Sequence, residues 1–245
     1  MTILAITGLR REAEIAGGPG VVAVAGGGDG PSLAGKLDAL HGDITGVISF
    51  GLGGGLSPLL KAGDVVIGES VQILRPRARH SAPAGEMAVA GSRASEGQRG
   101  EIIRCDERWR VSLAAKLPQA HQGPIAASDT ILENRDSKAT LYASTGALAV
   151  DMESAVAARF ARARQLPFAA LRVISDDAGH TLPPAALVAM KPDGGIALGR
   201  VLASLLRHPL QVPGLIRTAR TSNKAFKELL RCRGLCGVGL AGLDL

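Results

Sequence analysis

The sequence predicts a single α/β domain, a sheet with helices on both faces, followed by a helical C-terminal extension. Three observations predict it. Short runs that are apolar throughout (residues 2–7, 46–50 and 168–175) alternate with segments of helical spacing, and uniformly apolar strands belong to sheets covered on both faces. The 245 residues are 46% hydrophobic and 20% charged, the balance of a chain with a core rather than a disordered one. Glycines and carboxylates gather just after the apolar runs, where open α/β sheets bind ligands.

The elements follow in order. TILAIT (2–7) is a strand, Gly8 a turn, and residues 9–16 an amphipathic helix. VVAVAG (21–26) is a second strand, and Leu33, Leu37 and Leu40 give residues 31–40 helical spacing. GVISF (46–50) is a third buried strand, running into the cluster Gly51, Leu52, Gly53, Gly54 and Gly55, which reads as a loop. Residues 61–73 hold a further strand, and the Pro/Arg/Gly-rich residues 75–100 read as irregular loops or short hairpins. A helix is expected at 106–117, a strand at 123–127 and a helix at about 134–143. Strand 147–151 ends at Asp151 and Glu153, a helix runs to about Arg164, and strand 168–175 ends at Asp176 and Asp177.

Composition excludes several functions. Aromatic residues make up 2% of the chain, too few to stack the bases of a single strand, so no nucleic-acid partner is expected from the body. The longest uncharged stretch, residues 44–60, is too short and too glycine-rich to span a bilayer, and the opening residues lack a signal-peptide pattern. Three cysteines make no disulfide framework, which fits the reducing cytoplasm. His41, His80, His121, His180 and His208 have no metal-ligand spacing, and Cys232 and Cys236 lack further ligands, so neither a metal nor another cofactor is expected. No Gly-x-Ser-x-Gly elbow is present. Charge is uneven: residues 1–199 balance 20 basic against 20 acidic side chains, whereas residues 200–233 carry eight basic ones against Glu228 alone. Such a tail suits an anionic surface, whether phospholipid, nucleic acid or an acidic partner.

Four features carry chemistry. Glycines after a strand let the backbone approach a ligand and expose N–H donors, although no Gly-Lys-Ser/Thr makes the cluster a P-loop. Glu153, past a strand end, can accept hydrogen bonds from a vicinal diol; a first-turn helix acid looks the same in sequence. Asp176, following Ser175, can protonate a purine at N7, or merely cap a turn. Glu12 can orient a water or a sugar hydroxyl, or sit on a solvated helix face beside Arg10 and Arg11.

The glycine cluster, VDMESA and RVISDDA, the last two about 20 residues apart, resemble the nucleoside phosphorylase/nucleosidase family over roughly residues 1–200. The resemblance implies N-glycosidic cleavage of nucleosides, a three-layer domain with a mixed, partly barrel-like central sheet, and a homo-oligomer. By the same resemblance Met152 and Glu153 lie against the ribose, and Asp176, helped by Ser175, protonates the departing purine. Gly51, Leu52, Gly53 and Gly54 hold the nucleophile or the sugar, and Glu12 activates water. Ser128 and Asp129 form a base-side loop in which Ile131 stands where adenine nucleosidases often place a stacking Phe. The arginines that hexameric phosphorylases use for phosphate have no obvious counterpart, so phosphate as co-substrate and water both stay open.

The division expected is residues 1–200 as this domain and residues 201–245 as a basic amphipathic extension. In residues 213–231, Leu215, Ala219, Ser222, Phe226 and Leu229 form one helical stripe opposite Arg217, Arg220, Lys224, Lys227 and Arg231. The stripe suits an anionic membrane surface, and equally well docking on the body or on a subunit. Within the family the combination is most similar to the hopanoid-associated phosphorylases, which act on the lipid-linked nucleoside adenosylhopane, and this implies a peripheral place at the inner membrane face. Methylthioadenosine/adenosylhomocysteine nucleosidases, purine nucleoside phosphorylases and a non-catalytic nucleoside-binding protein are the alternatives.

Overall fold

Five strands close on one another. In the computed structural model, which describes residues 1–40, 42–74, 99–187, 191, 193–195 and 197–242, these are β3 (Ile44–Gly55), β4 (Val65–Leu74), β6 (His121–Ala127), β7 (Ala149–Asp151) and β8 (Phe168–Asp176). β3 pairs in parallel with β8, β8 antiparallel with β4, β4 in parallel with β6, β6 in parallel with β7, and β7 returns antiparallel to β3. β7 has only three residues, so the barrel is partial where it closes. β1 (Thr2–Thr7) extends β3 in parallel and β2 (Val21–Ala25) extends β1, while β5 (Arg99–Arg104) lies antiparallel on β4. The result is the mixed, partly barrel-like sheet that the resemblance implied.

Helices α1 (Arg10–Ala16), α2 (Gly30–Asp38), α3 (Glu107–Lys116), α4 (Arg135–Thr145) and α5 (Ser154–Ala163) fall where helical spacing predicts them. α5 buries Ala155, Ala157, Ala158 and Ala161, and this face of methyl groups lets it lie close on the sheet. Residues 75–98, expected to be irregular, lie outside the described residues; Arg99 and Gly100 already belong to β5.

The glycine cluster is not a loop. It is the second half of β3, where Gly53 aligns with Ile174 of β8 while Gly54 and Gly55 align with Val150 and Ala149 of β7. Space explains the composition: a Cβ on Gly53 would stand 3.0 Å from the Val150 carbonyl, and one on Gly54 3.3 Å from the Val150 side chain.

After β8 come α6 (Pro184–Leu187), α7 (Leu198–Arg207) and α8 (Val212–Cys236). Only the C-terminal part of the expected stripe docks on the body: Phe226 and Leu229 are buried, and Leu229 joins Ala225, Cys232 and Cys236 with Ile3, Ile48, Trp109 and Leu171 in one core cluster, whereas Ala219 is exposed and Leu215 and Ser222 are half-buried. Arg233 donates to the carbonyls of Ala16 (2.9 Å) and Gly237 (2.6 Å), and the Trp109 indole donates to the Leu240 carbonyl (2.9 Å), which pins the chain after α8. Among the described residues, no helix is long and apolar enough to cross a membrane.

Candidate active site

The turn from β1 into α1 places Glu12. Glutamate at the third helical position bends back over the unpaired N–H groups of the helix start. Its Oε2 accepts from the Gly8 (2.7 Å) and Leu9 (2.8 Å) amides, and its Oε1 accepts from Leu52 of β3 (3.0 Å). A Cβ on Gly51 would stand 2.8 Å from Oε2, so this carboxylate needs glycine there. Burial pushes the Glu12 carboxyl up from its ordinary value, opposed by those amides and by the charge of Arg172.

Glu153 comes from the turn between β7 and α5. Asp151 fixes that turn, its Oδ1 accepting from the amides of Glu153 (3.1 Å) and Ser154 (2.8 Å). The Glu153 carboxylate reaches back to the first strands, accepting from the Gly28 amide (3.2 Å), and a Cβ on Gly8 would stand 3.0 Å from it. Burial, then the nearby charges of Asp151 and Glu12, raise its carboxyl to about 7.

Arg172, in the middle of β8 and 1% exposed, binds this group together. Its Nε donates to Asp151 Oδ2 (2.6 Å) and its Nη2 to the hydroxyls of Ser49 (2.5 Å) and Ser154 (3.2 Å). Sequence reasoning passed over it, though a charge inside the apolar run FAALRVIS is a readable sign of a buried partner.

Asp176 stands at the end of β8. The pairing shifts here: Gly53 opposes Ile174 and Gly54 opposes Asp176, so Ser175 is the extra residue of a β-bulge that re-aims the aspartate. The Ser175 hydroxyl lies 2.6 Å from Asp176 Oδ1 and 3.2 Å from the Gly53 carbonyl, two acceptors for one proton. Lys138 of α4 forms a buried ion pair with Oδ2 and donates to the carbonyls of Asp177 (3.0 Å) and His180 (3.1 Å). Nothing in the sequence marks Lys138, since a single lysine in a polar helix normally faces water.

Both acids border one strand. Glu12 sits at Gly51 and Leu52, Asp176 at Gly54, and three residues of extended chain separate them by roughly 10 Å. Among the described residues the buried charges are Glu12, Asp151, Glu153 and Asp176 against Lys138 and Arg172, an excess of acid. Beside them lies a cavity of about 1040 Å³ lined by Gly28, Asp129, Ile131, Met152, Phe160 and Leu187 among others. The four acids are not part of its lining; Met152 and Gly28 are the residues that connect it to Glu153. Ser128 is buried, its amide donating to the Asp151 carbonyl (2.8 Å) and its hydroxyl to the Thr130 carbonyl (2.8 Å), so it shapes the loop that carries Asp129 and Ile131.

A family model described as the phosphorylase superfamily matches residues 10–207, from the helix of Glu12 past the strand of Asp176. The chain belongs to the phosphorylase superfamily. No curated protein sequence matches. Among solved structures, this superfamily member is similar to S-adenosylhomocysteine nucleosidase of Streptococcus pyogenes in complex with 5-methylthiotubericidin (TM-score 0.58, 19% identity, 93% of this chain and 96% of that one). It is also similar to the Streptococcus pneumoniae MTA/SAH nucleosidase bound to 8-aminoadenine (0.57, 21%, 93% and 99%). Futalosine hydrolase of Helicobacter pylori is a third (0.54, 18%, 94% and 97%). At these identities the likeness establishes the fold: a nucleoside phosphorylase/nucleosidase α/β domain over nearly the whole chain.

Proposed function

We propose that this superfamily member hydrolyses the N-glycosidic bond of a purine nucleoside. The observation that carries the reading is the placement of Glu12 against Gly51 and Leu52 and of Asp176 against Gly54 of one strand, with Glu153 against Gly8, whose amide donates to Glu12, a span suited to a sugar and its base. As the bond to C1′ lengthens, positive charge develops on the ribose and negative charge on the base. Glu153 accepts from the ribose hydroxyls, and the excess of buried acid favours the cationic sugar. Both interactions strengthen in the transition state, so they act on rate as well as on binding. Water attacks C1′ and passes a proton to Glu12, while the base leaves with a proton given by Asp176 to N7. Asp176 carries that proton on Oδ1 before the base departs, with the Ser175 hydroxyl donating to the Gly53 carbonyl, and once the proton has passed to N7 the hydroxyl returns to the Oδ1 of the carboxylate.

Water rather than phosphate is the nucleophile in this reading. The amides of Gly8, Leu9 and Leu52 form the kind of donor nest that holds an anion, and the carboxylate of Glu12 already fills it. Purified protein is expected to release adenine from a 5′-substituted adenosine at the same rate with and without phosphate, with free ribose derivative as co-product. A phosphate-dependent rate, with sugar 1-phosphate formed, would overturn the hydrolytic assignment.

Glu153 gives a pH dependence with a definite sign. Its carboxyl titrates near 7 in the folded protein against an ordinary value of 4.5, so between those values the folded chain binds a proton that the unfolded chain does not. Stability from this group therefore falls as pH rises through that window, by on the order of 3 kcal/mol in total. Ribose binding runs the other way, because only the ionised carboxylate accepts from two hydroxyls. KM is expected to fall as pH rises through about 7, and Glu153→Gln to flatten that limb while lowering turnover.

A second reading concerns the 5′ substituent. Beside Met152 the cavity of about 1040 Å³ is lined by Ala155, Val156, Phe160 and Leu187 together with the charged Asp38, Arg159, Arg164 and Arg200, room for more than a methylthio group. It supports a nucleoside with a bulky apolar 5′ group, of which adenosylhopane is the member that the sequence resemblance implies. Adenine release from adenosylhopane and from methylthioadenosine, compared by kcat/KM, distinguishes the two: preference for methylthioadenosine discards the lipid.

A further inference from the structure

Helix α7 and the turn after it carry an apolar stripe that, among the described residues, has nothing packed on it. Leu198, Leu202, Leu206 and Leu210 repeat every four residues and are 69%, 60%, 86% and 95% exposed, and no residue of α7 is buried. The helix is nonetheless held in place. The Gln211 amide donates to the Ser204 carbonyl (2.8 Å) and hydroxyl (3.0 Å), and its oxygen accepts from the Ala185 amide (2.9 Å), tying α7 to the starts of α6 and α8. One turn on, Val212 and Ile216 of α8 are also exposed. Single exposed leucines need no explanation, but a run of them on one ordered element marks a contact surface.

The charge around the stripe selects the partner. Residues 198–227 contain Arg200, Arg207, Arg217, Arg220, Lys224 and Lys227 and no aspartate or glutamate. All six are exposed, and among the described residues only Arg217 comes near a carboxylate, Asp177, at 3.9 Å. A second copy docked through the same face would set this basic field against itself, so self-association is disfavoured there. An anionic bilayer meets both requirements, since acyl chains accept the leucines while headgroup phosphates accept the arginines.

We propose that the α7 leucine face seats the protein on the surface of an anionic lipid bilayer. The inference is independent of the substrate, because it rests on a surface outside the carboxylate cluster. It also relocates the contact: Phe226 and Leu229 of the α8 stripe are buried in the body, and α7 supplies exposed leucines.

Sedimentation of the full chain with phosphatidylglycerol/phosphatidylcholine vesicles, and with phosphatidylcholine vesicles alone, tests this. The protein is expected to pellet with the anionic vesicles, to be released by high salt, and to stay in solution with the neutral ones. Leu202→Ser/Leu206→Ser should weaken vesicle binding by about tenfold or more, with an unchanged circular dichroism spectrum and thermal midpoint. Three results would overturn the assignment: no pelleting with anionic vesicles, equal pelleting with both kinds, or the double variant binding like the parent. Sedimentation velocity without vesicles adds a fourth, since loss of an oligomer in the double variant would give this face to a second copy.

Discussion

Asp176→Asn is expected to lower turnover by about two to four orders of magnitude, the range supplied by a positioned general acid. Asparagine keeps the shape of the side chain and an acceptor for Lys138, but it has no proton to give to N7. Ser175, which now has the choice of Asp176 Oδ1 at 2.6 Å or the Gly53 carbonyl at 3.2 Å, would meet an amide whose orientation is set by Lys138. The effect should appear in kcat, with KM for the nucleoside nearly unchanged, because the contact strengthens only as the base departs. It should also depend on the leaving group: nucleosides whose base leaves readily without protonation should lose far less. Turnover within a few-fold of the parent on adenosine substrates would remove Asp176 from the chemistry.

How far such a site can be read from sequence depends on whether a residue announces itself locally. The strands did: Ile3, Leu4, Ala5 and Ile6 are buried on both faces of β1, and a run of that kind has no other use in a water-soluble sheet. Glu153 and Asp176 could be picked out as candidates because they lie at or just past the end of a strand, and Glu12 because it stands in the first turn of the helix that follows β1. The glycine cluster was located correctly and misread as a loop, since glycine signals turns unless three backbones crowd one strand, and that crowding is a tertiary fact. The cationic partners show the same limit. Arg172 betrays itself by standing in an apolar strand, whereas Lys138 is buried only because α4 happens to lean over the end of β8. The α7 leucines show a related limit: their spacing does not say whether they are covered, and among the described residues none covers them.

Arg172→Met is expected to destabilise the fold by about 3–5 kcal/mol, the largest stability effect of any single substitution in the site. Methionine replaces the length of the side chain but leaves the Asp151 carboxylate buried without its cation, and that carboxylate also holds the amides of Glu153 and Ser154 at the start of α5. The loss therefore falls on the turn that positions Glu153. Exposed ion pairs do not behave this way: Arg10 and Asp193 are more than half exposed, and Arg10→Ala should cost no more than about 1 kcal/mol. Urea unfolding of the two variants separates a buried hub from a surface pair. If the cost comes from the stranded carboxylate, Arg172→Met/Asp151→Asn should be more stable than Arg172→Met alone, since a neutral amide keeps a cap acceptor without a buried charge. The fraction of Arg172→Met that folds carries a second signature. Arg172 lowers the carboxyls of both Glu12 and Glu153, so its removal should move the pH at which KM improves upward from about 7. A stability loss with no movement of that pH would make Arg172 a purely structural anchor; both together would show one guanidinium fixing the fold of the site and the charge state of its acids.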